Sequence, residues 1–156
     1  MKRLFKETWG VRWFGWRKIP LIWFVRPEVL ILNTKEVRIR VPFRRRVKNH
    51  LGSMYFGVLA VGADLAGGLA AMEHIRKSDV NVALIFKDMQ AEFLKRAEGD
   101  TVFTCVDGDA IEKLVQAAIE SGERVEMPVH IIATVPKHFQ DDPVARFRLT
   151  LSLKRK

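Results

Sequence analysis

The sequence holds one cysteine, Cys105, so no disulfide forms within the chain and a fold stapled by covalent cross-links is excluded. A reducing cytoplasm is the expected setting. No base stands beside Cys105 in its apolar stretch, which reads as a small buried hydrophobe rather than a nucleophile. Histidine is sparse as well: His50, His74, His130 and His138 lack metal-ligand spacing, and no metal is expected. Gly52 and Gly57 are spaced like the start of a phosphate-binding loop, but Val58-Leu59 stand where Lys-Ser/Thr is needed. Ser53 lacks the glycine context of a nucleophile elbow and reads as a helix cap. The longest uncharged stretch near the start, residues 19–25, is too short for a secretory signal core and follows most of the basic residues.

Acidic residues are scarce in one region only. Residues 1–50 carry 14 Lys or Arg against three Glu, whereas residues 51–156 carry 13 against 15, so the net charge of +9 belongs to the first third. Such a bias suits an anionic partner: nucleic acid, acidic lipid headgroups, or the phosphates of a coenzyme or carrier. A solvated basic face is the plainer alternative. No nucleic-acid-binding module accompanies the charge, so no nucleic-acid partner is expected.

Within residues 1–26, Phe5, Trp9, Trp13 and Trp16 recur at helical spacing among Lys2, Arg3, Lys6, Arg12, Arg17 and Lys18, until Pro20 breaks the pattern. This basic, aromatic helical segment suits a membrane interface. Packing of its stripe on the domain or on a second subunit is the favoured reading, because tryptophans are costly to leave exposed.

The remainder, residues 27–156, is expected to form one domain. From His50 to Met72 the only charged residue is Asp64, in a run with five glycines. The run is long enough to span a membrane, but its glycines and the amphipathic segments that follow favour a helix buried on nearly all sides of a soluble domain. Spacing of three and four puts Gly57, Ala60, Asp64, Gly67, Gly68 and Ala71 on one narrow face. A lone carboxylate in such a run costs several kcal/mol unless something satisfies it, which makes Asp64 the first functional candidate.

Beyond this helix the apolar period becomes two. Val125, Met127, Val129, Ile131, Ala133 and Val135 alternate with mostly polar residues, and so do Ala145, Phe147, Leu149, Leu151 and Leu153. Residues 138–143 read as the loop between these two antiparallel strands. Further strands are predicted at 29–32, 37–43, 82–94 and 101–106. A surface helix is predicted from Asp109, with Glu112 completing a capping box, to Gly122. The pattern implies an α+β fold in which an antiparallel sheet curls around one covered helix.

The stretch Asn49-His50-Leu51-Gly52-Ser53-Met54-Tyr55-Phe56-Gly57, with Asp64 fifteen positions after Asn49, resembles the helix-start motif of hotdog-fold thioesterases of the phenylacetic-acid-degradation type. It is closer still to a bacterial branch of that superfamily, whose strand-to-strand turn is similar to residues 93–100. The resemblance spans residues 27–154. It implies a hotdog fold and a homodimer, alone or as a dimer of dimers, with acyl-thioester sites at the interface. Asp64 of one subunit would be general base or nucleophile. Asn49 of the other would position the carbonyl, and the backbone N–H of Phe56 or Gly57 would stabilise the oxyanion. No cofactor is implied; coenzyme A or phosphopantetheine would arrive as part of the substrate. Ser53, Met54 and Tyr55 would contact the substrate, and Arg45 and Arg46 would meet its phosphates. Two departures stand out: Tyr55-Phe56 replaces His-Gly, and Phe86 occupies the place of an assisting Ser or Thr. The pocket they imply favours long acyl chains, or binds them without turnover. The alternative to a hydrolase is therefore a non-catalytic acyl- or lipid-binding protein, docked on a membrane through residues 1–26.

Overall fold

The computed structural model describes residues 2–156. Helix α1 (Phe5–Lys18) ends before Ile19, and Pro20 opens a second short helix, α2 (Pro20–Val25), where its missing N–H costs nothing. Gly15 allows the pair to close: a side chain there would come within 2.7 Å of the Trp23 backbone nitrogen. The face that α1 buries is Thr8, Val11, Arg12 and Gly15, not the aromatic stripe. Thr8 Oγ1 accepts a hydrogen bond from Val29 N at 2.9 Å, and Arg12 Nε donates to Pro27 O at 2.9 Å. Buried Glu28 gathers Arg3 at 3.3 Å, Arg12 at 3.6 Å and the Arg40 Nε donor at 2.8 Å. The expectation that the stripe packs on the domain is thus corrected. Polar groups hold this helix down, and its rings face out.

Strands β1 (Glu28–Leu32) and β2 (Val37–Val41) form a hairpin whose turn is closed by Asn33 Oδ1, which accepts from Lys35 N and Glu36 N, both at 2.9 Å. After a 3₁₀ turn at Arg45–Val47 comes the long helix α3 (Phe56–Ser78). Then follow β3 (Val82–Phe93), β4 (Thr101–Cys105), α4 (Gly108–Ser121), β5 (Val125–Thr134), a short turn of helix α5 (Pro136–Phe139) and β6 (Pro143–Arg155). The strands form one antiparallel sheet in the order β1-β2-β4-β5-β6-β3. Inward residues Val129, Ile131 and Ala133 of β5 and Phe147, Leu149 and Leu151 of β6 are fully or almost fully buried, as their alternation requires.

Helix α3 crosses the inner face. Gly62 permits the contact, since a side chain there would lie 2.3 Å from the Phe103 ring. Of its 23 residues 12 are buried, so the sheet partly covers the one helix that, among the described residues, is long and apolar enough to cross a membrane. The helix is not enclosed on nearly all sides, however. Gly67 and Ala71 are buried, whereas Gly57, Ala60, Asp64 and Gly68 are half-buried and Phe56 and Met72 exposed, leaving a stripe uncovered.

Helix α4 lies beside α3 and against the sheet, burying Ile111, Val115 and Ala118, and Gly122 ends it in the left-handed region at φ 70°. Its start departs from expectation. The helix begins at Gly108 after Asp107, so Asp109 lies inside it and the Asp109–Glu112 capping box does not form. Asp107 Oδ2 instead accepts from His130 N at 2.7 Å, tying α4 to β5. A curved antiparallel sheet wrapped around a central helix, with one inserted helix, is the hotdog fold.

Candidate active site

The chain approaches α3 through a tight turn built by Asn49. Its Oδ1 accepts from Leu51 N at 2.9 Å and Ser53 N at 3.1 Å, while its Nδ2 donates to Ser53 Oγ at 3.0 Å. Gly52, at φ 79°, supplies the left-handed residue that this turn needs. Ser53 is therefore a partner of Asn49 and not the helix cap. Backbone bonds from Met54 N to Ala97 O and from Tyr55 N to Val47 O, both 2.8 Å, fix the segment against its neighbours. Tyr55 stands at the cap position without a side-chain hydrogen bond. The N–H groups of Phe56 and Gly57 consequently have no acceptor among the described residues, at the positive end of a 23-residue helix. The Tyr55 ring folds over Gly57, where a side chain would come within 2.6 Å of it.

Asn49, Ser53, Met54, Phe56 and Leu59 line a cleft of about 440 Å³ whose opposite wall is residues 93–97. Its aromatic lining runs inward: Phe56 meets Phe93 edge-on at 6.4 Å, and Phe93 meets buried Phe147 at 6.1 Å. Leu59 and the Phe93–Ala97 wall were not anticipated as site residues; only the likeness of residues 93–100 to a family turn pointed there. A larger hollow of about 570 Å³ runs along α4 from Asp109 to Glu120, with walls from that one helix and Ala117 its one apolar residue, and reads as a solvated face.

Asp64 does not line the cleft. It lies two turns along α3, half-buried, with no hydrogen bond or ion pair among the described residues. Burial raises its pKa. Phe86 on β3 lies over Gly67 and Gly68, whose side-chain positions are 3.4 and 3.8 Å from its ring, one turn beyond Asp64. The predicted residues thus fall into two groups within one chain: Asn49, Ser53, Met54, Tyr55, Phe56 and Gly57 at the helix start, and Asp64 with Phe86 further along.

Arg45 and Arg46 sit in the exposed 3₁₀ turn leading to Asn49. Arg46 donates to Phe24 O at 3.5 Å and lies 5.8 Å from the Phe24 ring centre, and neither Arg44 nor Arg45 has an acidic partner among the described residues. Burial pushes the Cys105 thiol up to about 11, so it stays protonated at neutral pH and inert as a nucleophile. No cluster of His, Cys, Asp and Glu able to hold a metal exists among the described residues.

Residues 7–153 match the family described as Domain of unknown function (DUF4442). The chain belongs to the DUF4442 family. Among curated protein sequences none matches this DUF4442 chain significantly. Solved structures do. A Pseudomonas aeruginosa protein described as a "probable thioesterase" superposes with a TM-score of 0.77 at 26% identity, over 96% of each chain. A Haemophilus influenzae thioesterase gives 0.66 at 15% identity over 86% of this chain and 82% of its own. A mutant thioesterase from the same Pseudomonas species gives 0.70 at 13% identity over 96% and 94%. The membership in the hotdog-fold, thioesterase-like superfamily that the Asn49 motif suggested holds for this DUF4442 chain.

Proposed function

We propose that this chain is an acyl-thioester hydrolase that works as a homodimer, taking its acyl group on coenzyme A or a phosphopantetheine carrier and using no cofactor of its own. Asp64 carries the reading: an unpaired, half-buried carboxylate on the same face of α3 as the open amides of Phe56 and Gly57. Seven residues of helix separate Gly57 from Asp64 by about 10 Å, too far for one carbonyl to touch both. An antiparallel second copy of α3 crossing near Ala60 would set each Asp64 against the amides of the other chain. Ala60, small and half-buried between the two groups, allows two helices to lie close there. The pairing is supported by β3, an outer strand of 12 residues that leaves Ile85, Met89 and Phe93 exposed. Proteins cover or pair such edges.

In such a site the thioester carbonyl oxygen points at the Phe56 and Gly57 amides. Asp64 of the other chain takes a proton from water as the water oxygen attacks the carbonyl carbon. The tetrahedral oxyanion, held by the amides, collapses with cleavage of the C–S bond. Asp64 returns the proton to the departing sulfur, leaving a carboxylic acid and a thiol. A carboxylate that burial has made more basic suits this task. Asn49, whose oxygen is committed to its turn, contributes by shaping the helix start and through its remaining amide hydrogen. Phe56 and Phe93 offer an apolar wall to a long acyl chain, while Arg45 and Arg46 offer charge to its phosphates.

Hydrolysis of acyl-coenzyme A substrates of increasing chain length tests this. Turnover is expected with long chains, and Asp64→Asn should lower kcat by about 10²–10⁴ with KM little changed. Binding without turnover at any length would make the chain an acyl carrier and overturn the hydrolase reading.

A further inference from the structure

The orientation of α1 is unlike that of an ordinary amphipathic helix. Its polar residues Thr8 and Arg12 are buried in hydrogen bonds to the start of β1, while Phe5, Trp13 and Trp16 are each about 60% exposed. Leu21 and Phe24 of α2 are also exposed and extend the same apolar surface. The rings face away from the domain. Buried hydrogen bonds and the Glu28 cluster fix the outward orientation.

The surroundings of these rings carry one sign of charge. Among residues 2–27 the basic side chains number seven and the only acid is Glu7. Lys2, Lys6, Arg17 and Lys18 are exposed around the rings, and Arg17 lies 5.7 Å from the Trp13 ring centre. Arg44, Arg45 and Arg46 extend the basic rim, joined to α2 by the contact of Arg46 with Phe24.

We propose that the α1–α2 hairpin docks this protein on the surface of an anionic phospholipid bilayer. Tryptophan rings and cationic side chains both favour the interfacial layer, where the ring bodies meet acyl chains and the cations meet phosphates. A second copy of the same surface fits less well, because a two-fold contact would press each basic rim against its own image. Nucleic acid fits less well too. The rings stand among exposed aliphatic Leu4, Ile19 and Leu21, which suit acyl chains better than a polar sugar-phosphate backbone. The docked surface adjoins the Arg45–Val47 turn that leads into the cleft, so substrate chains dissolved in the bilayer would lie next to the cleft mouth. Docking itself does not depend on the hydrolase reading.

All four tryptophans of the chain lie in residues 9–23, so intrinsic tryptophan emission reports on this surface alone. Addition of vesicles of roughly 3:1 phosphatidylcholine to phosphatidylglycerol should shift the emission to the blue and sediment the protein, with pure phosphatidylcholine doing so weakly. Trp13→Gln/Trp16→Gln keeps Trp9 and Trp23 as reporters and should bind about tenfold more weakly; Lys6→Glu/Arg17→Glu should abolish the preference for anionic vesicles. Both side-chain sets are exposed, so circular dichroism should match the wild type. No shift with either vesicle, or equal binding by the tryptophan variant, overturns the proposal. So does a shift produced by a single-stranded oligonucleotide but not by vesicles, or by raising protein concentration alone, which would assign the surface to nucleic acid or to a second copy.

Discussion

Two surfaces of this molecule expose large apolar side chains, and they differ in what surrounds those side chains. Along β3 and the open stripe of α3, the charges are balanced locally: Lys87 pairs with Glu126 at 2.8 Å, Arg146 with Glu92 at 3.7 Å, and Asp88 accepts from Thr150 at 2.7 Å. The backbone there is an unfinished sheet edge. α1 and α2 present helix sides rather than a sheet edge, and the surrounding charge is nearly all positive. A charge-balanced edge with free backbone groups can be completed by its own copy. A cationic surface that is not a sheet edge calls for something anionic and apolar. Similar apolar exposure therefore supports different proposed partners, a second copy for the sheet edge and an anionic bilayer for the cationic helices.

The largest expected effect breaks the first surface. Ile85→Asp places a charge on the β3 edge and should yield a monomer by light scattering. Thioester turnover should fall to background, because one chain alone does not bring Asp64 near the Phe56 amide. A fully active monomer would refute the shared site.

Next comes Asp64→Asn, read through stability. Burial raises the folded-state pKa of Asp64 above its ordinary 3.8, so its ionised form opposes folding. That penalty is complete above the raised folded value and vanishes below the unfolded one. The asparagine variant should therefore melt higher than the wild type at neutral pH. Thermal scans should show the difference shrinking as pH falls through the raised value toward 3.8. An unchanged melting temperature at neutral pH would mean that the carboxylate is well solvated.

A smaller effect separates the second surface from the first. Thr8→Val leaves Val29 N without its acceptor and should cost about 1–3 kcal/mol in chemical denaturation. Specific activity of the remaining folded protein on a soluble short-chain substrate should be unaffected. Arg45→Ala should have the least effect, raising KM a few-fold for coenzyme A thioesters but not for acyl N-acetylcysteamine thioesters, which lack phosphates. Equal changes for both would remove Arg45 from phosphate recognition.

The sheet was legible in the sequence because the period-two run of Val125, Met127, Val129, Ile131 and Ala133, interleaved with Glu126, His130 and Thr134, has one sensible burial, and β5 adopts it. The start of α3 was legible from the Asn49 motif, and Asp64 stood out as an unpaired charge. The α1 orientation was not. Its rings at spacings of three and four read as a core stripe, and nothing local reveals that Thr8 and Arg12 would find partners at Val29 and Pro27. The start of α4 failed for a similar reason: the Asp109–Glu112 pattern is local, whereas Asp107, which precedes the observed start, is anchored by the backbone of His130, distant in sequence. The division of the site into two groups was hidden as well, since spacing shows that Gly57 and Asp64 share a face but not that the sheet leaves that face open.

Complementation between two inactive chains tests the shared site most directly. Phe56→Pro removes one amide donor at a first helical position where proline fits, and Tyr55 before it, at φ −63° and ψ 135°, already has the conformation that proline requires. Asp64→Asn removes the base. Each variant alone should be inactive, and co-folding the two in equal amounts should restore about a quarter of wild-type turnover, because half of the dimers then carry one intact site of two. A mixture as inactive as its components would contradict a site shared between chains.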